Sequence, residues 1–378
     1  MAEAKKRIRI LYTIPNFDTA GSGKALLNVA LGLNPNVFEV YIVCSHNRGD
    51  FFKVVKSSGI SVYVFNYTCT MKPYLKGLWT CFKISKKFKA LKPDIVHSFH
   101  YAADYSEPLA VRLAGVKWIY TKKNMNWGGA SKNSWKLRTL LANKVVAQNE
   151  DMLSNFFSKL KKVTLIPRGV NTIVFQPLKP DVKLRLLWNL KDTDRILCCV
   201  ANLSPIKGID ILLKAFKNVY LNHLEWKLIL VGDTSSSYGK DMIQLSKDLG
   251  IYEEVRFCGK QFDVVDYINL SEVVVLPTLD KGEGSPVSLL EAMACQKNVL
   301  ASNVSGIKDQ LSKFPEHLVQ PGDVGPWSKA LEHVLSNSVQ VNIEQGQILR
   351  EHVLNCYTIE REVTLCESMY LNLLNSNI

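Results

Sequence analysis

The sequence predicts an α/β protein of two domains, each built on a parallel β-sheet. Strand-like and helix-like segments alternate along nearly the whole chain, which is typical of parallel sheets covered by helices. A length of 378 residues suits two or three domains. The alternation is interrupted at residues 167–171, and Pro177 and Pro180 follow closely. This interruption is therefore the predicted boundary between the two halves.

In the first half, apolar and β-branched runs predict strands, and helical spacing of apolar residues predicts helices. The predicted strands are residues 7–14, 38–44, 62–65, 94–98, 118–121, 144–147 and 162–166. The predicted helices are residues 23–33, 51–57, 74–91 and 107–114.

The second half repeats this organisation and ends in a helix. Its predicted strands are residues 196–200, 227–231, 255–258, 273–276, 298–301 and 318–319. Its predicted helices are residues 208–218, 241–249, a segment that begins at Pro286, 327–335 and 359–374.

Composition indicates a globular protein of the cytosol. Residues of the hydrophobic class make up 47% of the chain, and no apolar run approaches the ~20 residues that span a bilayer. The first apolar run, residues 10–14, is too short for the core of a signal peptide. The nine cysteines are an odd number without metal or redox spacing, so we expect reduced thiols and no metal held by Cys or His.

The net charge of +13 is concentrated in the first half. Residues 1–165 contain 26 Lys and Arg against 9 Asp and Glu, which gives +17, and residues 166–378 contain 21 against 25, which gives −4. Such asymmetry indicates an anionic partner: nucleic acid, an anionic membrane or a phosphorylated substrate. Nucleic acid is disfavoured because no binding motif is present.

The predicted helix 74–91 is the candidate membrane contact, because it carries Lys83, Lys86 and Lys87. The alternative is a helix with a core-facing apolar stripe and a solvated basic back. That stripe would consist of Leu75, Leu78, Trp79, Phe82, Phe88 and Leu91.

The segment 277–294 contains the most specific pattern in the chain. Glu283 and Glu291 stand eight positions apart, and Ser285 and Pro286 fit the N-cap and first turn of a helix that carries Glu291. Free N–H groups at a helix start bind anions, and carboxylates bind hydroxyls, so the pattern suits a sugar nucleotide. The alternative is that both glutamates stabilise the helix dipole or face solvent.

Three further positions could contribute to a site. The glycines Gly21 and Gly23 follow the first strand and suit either a phosphate or a flexible turn. Lys207 lies between a strand and a helix, where it could neutralise a diphosphate or be solvated. His97 and His100 lie at the end of the strand 94–98, where open α/β sheets bind ligands, although His97 also suits the core.

Together these segments resemble the family 4 glycosyltransferases over nearly the whole chain. Residues 283–294 match the Glu-x7-Glu signature of that family, residues 165–171 match its interdomain segment, and residues 203–210 match its phosphate-binding lysine loop. The resemblance implies the GT-B fold, in which two Rossmann-like domains face each other across a cleft. It also implies domains at residues 1–167 and 168–357, with a last helix, residues 358–378, that crosses back to the first domain.

The resemblance assigns roles around a nucleotide-sugar donor. Lys207 would contact the diphosphate, Glu283 would face the donor sugar, and Glu291 would bind the ribose. Further donor contacts would come from Gly21, Gly23, Asn202 and the backbone of Val287 and Ser288. The family retains the anomeric configuration and needs neither a metal nor another cofactor.

Two departures from the family pattern affect the expected site. Asn202 stands where the family commonly has an Arg that assists the lysine, and Lys123 stands where it often has a His at the reaction centre. Lys123 is therefore an expected acceptor-side residue, with His97 or His100 as substitutes for the missing His.

The expected function is a retaining glycosyltransferase that uses a UDP- or GDP-linked sugar. The expected acceptor is a glycan, carried on a lipid, in bacterial polysaccharide or lipopolysaccharide biosynthesis at the inner face of the cytoplasmic membrane. Two alternatives stay open at this point: a GT-B-like sugar-nucleotide epimerase, and a non-catalytic relative that binds a glycan or a partner.

Overall fold

Two parallel sheets, each with helices on both faces, organise the chain. The computed structural model describes residues 6–18, 20–127, 131–280 and 283–375. The chain forms two units, one from residues up to Pro167 together with those from Ile359 onward, and the other from Arg168 to Thr358. Both sheets are parallel α/β sheets, as the sequence predicts.

The first unit contains a seven-stranded sheet in the order β3-β2-β1-β4-β5-β6-β7. Its strands are β1 (Ile8–Ile14), β2 (Phe38–Cys44), β3 (Ser61–Val64), β4 (Ile95–Ser98), β5 (Lys117–Thr121), β6 (Lys144–Ala147) and β7 (Val163–Leu165). Its first six helices are α1 (Ala20–Gly32), α2 (Asp50–Ser57), α3 (Tyr74–Leu91), α4 (Ser106–Leu113), α5 (Lys132–Leu141) and α6 (Glu150–Phe156). The strand order reverses between β1 and β4, which is where such sheets bind ligands.

The second unit contains a six-stranded sheet in the order β10-β9-β8-β11-β12-β13. Its strands are β8 (Arg195–Val200), β9 (Trp226–Val231), β10 (Val255–Phe257), β11 (Val273–Leu276), β12 (Asn298–Ser302) and β13 (Leu318–Val319). Its helices are α7 (Val182–Leu187), α8 (Ile209–Tyr220), α9 (Ser237–Asp248), α10 (Val265–Leu270), α11 (Val287–Ala294), α12 (Ile307–Gln310), α13 (Val324–Leu335) and α14 (Val339–Cys356). Here the order reverses between β8 and β11.

The last helix, α15 (Ile359–Asn375), packs on the first unit. Val363, Met369 and Tyr370 are buried in the same apolar core as β1 and α1. A Cβ atom on Gly32 of α1 would lie 2.6 Å from a methyl carbon of Val363, so the two helices approach closely at this glycine. This contact makes α15 part of the core of the first unit.

Periodicity predicts most elements to within a few residues but misses several helices. The longest of these is α14, whose buried positions include Asn342, Gly346 and His352 and so do not form an apolar stripe. A Cβ atom on Gly346 would lie 2.1 Å from the carbonyl oxygen of Gln296, so α14 is held by close backbone approach. Helix α1 begins at Ala20 rather than Gly23, which places both candidate glycines in its first turn.

Candidate functional site

In the second unit, the predicted donor residues meet where the strand order reverses. Strands β8 and β11 are parallel neighbours, so the loops that follow them leave the same edge of the sheet. Lys207 lies in the loop after β8, and Glu283 lies in the loop after β11. The fold therefore brings together two residues that are 76 positions apart in sequence.

The two loops are joined by backbone contacts. The N–H of Leu279 donates a hydrogen bond of 2.8 Å to the carbonyl oxygen of Ile206. Gly208 has a φ of +64°, and a Cβ atom there would lie 2.1 Å from the carbonyl oxygen of Pro277. Only glycine fits this position, because both the left-handed backbone and the close approach exclude a side chain.

The ammonium group of Lys207 forms an ion pair with the carboxylate of Glu283. Both side chains are largely buried, with 19% and 13% of their surface exposed. Burial lowers the pKa of Lys207 to about 8, whereas the adjacent carboxylate acts in the opposite direction and favours the ammonium form. A largely buried ammonium group requires an anion beside it.

The turn between the two glutamates is held by α12. The Nε2 of Gln310 donates hydrogen bonds of 3.1 Å to the Ser285 hydroxyl and 3.2 Å to the Pro286 carbonyl. Gly306 has a φ of +81°, and a Cβ atom there would lie 2.3 Å from the carbonyl oxygen of Gly284. The prediction that Ser285 caps the helix is wrong: Pro286 occupies the N-cap position, and the Ser285 hydroxyl accepts from Gln310 instead.

Helix α11 begins directly after this Gly-Ser-Pro segment, at Val287. Val287 and Ser288 are its first two residues, and no side chain among the described residues caps it. Their N–H groups point out of the helix start, as in known anion-binding sites. Glu291 follows one turn later and is partly buried. Asn202 is exposed in the loop after β8, five positions before Lys207.

In the first unit, the two candidate glycines differ in their surroundings. Gly21 is exposed, and a Cβ atom there would meet no atom within 4 Å. Gly23 is buried, and a Cβ atom there would lie 2.9 Å from the ring of Phe17 and 3.0 Å from the ring of Phe51. Packing therefore explains Gly23, whereas the backbone of Gly21 is open to a ligand.

The two histidines at the end of β4, His97 and His100, also differ in their surroundings. His97 is buried, with its Nδ1 2.6 Å from the Tyr370 hydroxyl and its Nε2 2.8 Å from the Thr121 hydroxyl. This placement favours the alternative of a core histidine, which links the sheet to α15. His100 lies on the loop, where its ring stacks on Tyr101 and meets the edge of Tyr67.

A buried ion pair that the sequence did not single out lies under His100. Glu107 and Arg138 are both fully buried, and Glu107 accepts from the Thr13 and Ser98 hydroxyls at 2.5 and 2.8 Å. Burial raises the pKa of Glu107 and outweighs the guanidinium beside it. The sequence feature that could have indicated this pair is Glu107 itself, a carboxylate at the start of the apolar helix α4. A buried carboxylate needs hydrogen-bond donors such as hydroxyl and guanidinium groups. The network fixes the loop that carries His100, because Arg138 also donates to the backbone carbonyl of that residue.

Lys123 lies near this loop, with its ammonium group 4.9 Å from the centre of the Phe99 ring. Burial lowers the pKa of His100 to about 3, and the positive charges of Arg138 and Lys123 add to this effect. The His100 ring is therefore neutral near pH 7, so it can donate from one nitrogen and accept at the other.

Helix α3 has its apolar stripe partly on the outside, which corrects the orientation expected from the sequence. The residues that face the core are Gly77, Cys81, Ile84, Ser85 and Phe88. Leu75, Leu78, Trp79 and Phe82 are instead 86, 47, 58 and 43% exposed. At Gly77 the backbone of α3 packs directly against the backbone of Met71, because a Cβ atom on Gly77 would lie 2.5 Å from the carbonyl oxygen of Met71. The buried face of α3 therefore includes this backbone contact and has few large apolar side chains.

The lysines of α3 cover its exposed rings. The ammonium groups of Lys83 and Lys86 lie 5.4 and 4.8 Å from the ring centres of Trp79 and Phe82. Lys87 lies 4.9 Å from the ring centre of Phe65. The outer surface of α3 is therefore both aromatic and basic. Within the described part of the chain, no helix is long and apolar enough to cross a membrane.

Two family descriptions match the chain. "Glycosyltransferase Family 4" matches residues 19–173, and "Glycosyl transferases group 1" matches residues 185–351. A similar curated protein is the UDP-Gal:alpha-D-GlcNAc-diphosphoundecaprenol alpha-1,3-galactosyltransferase of Escherichia coli. It is 24% identical over 361 residues, which cover 89% of each chain.

Solved structures show the same fold. A glycosyltransferase from Rickettsia africae has a TM-score of 0.83 at 20% identity and covers 98% of this chain and 99% of its own. Anabaena Alr3699/HepE in complex with UDP and glucose has a TM-score of 0.79 at 18% identity, over 97% and 99% of the two chains. The two-sheet architecture is therefore the GT-B fold. With both halves matched and the Glu-x7-Glu segment in place, the chain belongs to the family 4 glycosyltransferases and is an enzyme of the transferase class.

Proposed function

We propose that this glycosyltransferase moves a sugar from a UDP-linked donor to a lipid-linked glycan acceptor, with retention of configuration, in bacterial polysaccharide or lipopolysaccharide biosynthesis. The observation that carries the donor side is the Lys207–Glu283 ion pair beside the start of α11. Cationic and carboxylate groups at one helix start match the two parts of a sugar nucleotide, its diphosphate and its hydroxyls.

The donor would replace one half of the ion pair. A diphosphate carries more negative charge than the Glu283 carboxylate, so it competes for the Lys207 ammonium group and for the N–H groups of Val287 and Ser288. Glu283 is then released to accept hydrogen bonds from the sugar. Glu291, one turn into α11, would accept hydrogen bonds from the ribose hydroxyls.

The same lysine would serve the chemistry. Charge on the leaving diphosphate grows as the bond to the sugar breaks, and a fixed cation in a partly dry site stabilises that charge. The departing phosphate oxygen can take the proton of the acceptor hydroxyl on the same face of the sugar, which retains the configuration. Such a reaction needs no separate protein base.

The choice of UDP and of a lipid-linked acceptor draws support from the relatives. The Escherichia coli relative is named for UDP-galactose and for a GlcNAc-diphosphoundecaprenol acceptor, and the Anabaena structures contain UDP. The lipid-linked acceptor also fits the basic, aromatic surface of α3, which suits a protein that works on substrates embedded in a membrane.

Nucleotide release tests the donor site. Incubated with a panel of UDP- and GDP-sugars, the protein should slowly release UDP from one UDP-sugar as water replaces the acceptor. Lys207→Ala and Glu291→Ala should slow that release by roughly a hundredfold or more, because each removes a contact to the donor. The matched control is Lys214→Ala, which removes an exposed lysine of α8 and should keep the wild-type rate. Wild-type release by both site variants would contradict the assignment.

UDP binding should weaken as the pH rises from 7 to 9. The pKa of Lys207 lies at about 8, and only its protonated form binds a diphosphate, so the dissociation constant should rise by up to about tenfold across this range. Isothermal titration calorimetry at several pH values measures this dissociation constant. Lys207→Arg is the control, since a guanidinium stays charged and should remove the dependence. A wild-type dissociation constant that does not change, or an equal change in Lys207→Arg, would exclude Lys207 as the titrating group.

We further propose that α3 contacts an anionic membrane. Residues 66–93 contain no Asp or Glu, and the helix exposes Leu75 and Trp79 next to Lys83 and Lys86. Aromatic and apolar side chains that enter the interface, flanked by cations that meet lipid phosphates, are typical of peripheral membrane helices.

Vesicle sedimentation tests this contact. Binding to phosphatidylcholine vesicles should rise when phosphatidylglycerol is added. The triple change Lys83→Gln, Lys86→Gln and Lys87→Gln should lower it by roughly a hundredfold, at ~1 kcal/mol for each lysine. The control variant replaces three exposed lysines of the second unit by Gln, namely Lys179, Lys183 and Lys191. It removes the same charge and should bind the vesicles nearly as well as the wild-type protein. Equal binding to both kinds of vesicle would contradict the proposal.

A further inference from the structure

The first unit contains three sulfur atoms in contact at the inner face of α3. The Sγ atoms of Cys69 and Cys81 are 3.6 Å apart, and the Sγ of Cys81 also lies 3.6 Å from the Sδ of Met71. Cys69 and Met71 belong to the segment that links β3 to α3, whereas Cys81 belongs to the helix itself. All nine cysteines are free, so the contact joins two reduced thiols.

The two thiols differ in their access to small molecules. Cys81 is fully buried in the apolar core that α3 shares with β1 and β4. Burial raises the pKa of Cys81 to about 12, so its sulfur is protonated near pH 7. Cys69 is partly exposed and lines a cavity of about 490 Å³. An oxidant therefore meets Cys69 first, and Cys81 is the neighbouring thiol that can complete a disulfide.

A disulfide between these residues needs only a local movement. An S–S bond is about 2.05 Å long, so the two sulfurs would have to approach by about 1.5 Å. Cys81 is fixed by its helix and by the core around it, whereas Cys69 lies in a connecting segment without regular structure. The movement therefore falls on Cys69 and its neighbours.

The segment of Cys69 is also tied to the start of α4. The N–H of Cys69 donates a hydrogen bond of 2.9 Å to the Ser106 hydroxyl, which donates in turn to the Asp104 carboxylate at 2.8 Å. The backbone carbonyl of Asp104 accepts from Arg138, which also donates to the carbonyl of His100. A shift of Cys69 would therefore reach the loop that follows β4.

We propose that Cys69 and Cys81 form a redox-active dithiol, which a peroxide oxidises to a disulfide that links the segment 66–73 to α3. This reaction is independent of sugar transfer and of the donor site, which lies in the second unit. Partly exposed cysteines with a second cysteine beside them are typical of thiols that respond to oxidants.

The proposed reaction has two steps. The sulfur of Cys69 attacks one peroxide oxygen, the O–O bond breaks and one water leaves, so that Cys69 becomes a sulfenic acid. The sulfur of Cys81 then attacks the sulfur of Cys69, and hydroxide leaves with the Cys81 proton as a second water. The two sulfurs together give two electrons to the peroxide, and a thiol reductant reverses the change by exchange.

Peptide mapping after oxidation of the folded protein tests the linkage. Trypsin separates residues 57–76, in which Cys69 is the only cysteine, from residues 77–83, in which Cys81 is the only cysteine. Treatment with hydrogen peroxide should raise the yield of these two peptides joined by a disulfide by about tenfold or more over the untreated protein. Dithiothreitol should separate them again. Unchanged circular dichroism of the oxidised protein shows that the linkage forms in the folded state.

Three variants assign the two roles. Cys81→Ser should abolish the joined peptides and leave Cys69 as a sulfenic acid, which dimedone traps in the peptide 57–76. Cys69→Ser should give neither product. The matched control is Cys356→Ser, which removes the other partly exposed cysteine and should form the joined peptides to the wild-type extent.

Three results would overturn the proposal. The first is the absence of joined peptides from the oxidised wild-type protein, and the second is their appearance only in denaturant. The third is dimedone on Cys81 in Cys69→Ser together with none on Cys69 in Cys81→Ser.

Discussion

The ion pair between Lys207 and Glu283 is the contact on which the proposed donor site depends. It joins two loops that come from adjacent strands, β8 and β11, and it places a carboxylate beside a lysine whose ammonium form burial disfavours. Two glycines make this geometry possible, since side chains at Gly208 or Gly306 would collide with the carbonyl oxygens of Pro277 and Gly284. In the proposed reaction, a diphosphate would replace Glu283 as the partner of the Lys207 ammonium group.

The first unit contains a second buried ion pair, between Glu107 and Arg138. The Glu107–Arg138 pair is completely buried and supports the loop of His100, whereas the lysines of α3 are exposed. A buried pair of this kind fixes geometry more than it adds stability, because desolvation offsets most of its attraction.

Local patterns predicted the bounds of β2, β11 and α3, because apolar residues recur in each of these segments with the spacing of a strand or a helix. The family resemblance, and not the local pattern around Lys207, implied that Lys207 and Glu283 belong to one site. The structure brings them together because β8 and β11 are parallel neighbours that end at one edge of the sheet. Local patterns could not predict which face of α3 is buried, because close backbone contact at Gly77 decides it. Nor could they separate His97 from His100: the partner that buries His97 is Tyr370, 273 residues away.

The most direct test of the donor site is an experimental structure with UDP bound. We expect the diphosphate at the start of α11, with the Lys207 ammonium group at about 2.8 Å from a phosphate oxygen and no longer paired with Glu283. We also expect the ribose hydroxyls within hydrogen-bonding distance of Glu291. A structure in which UDP binds elsewhere while Lys207 remains on Glu283 would contradict this expectation.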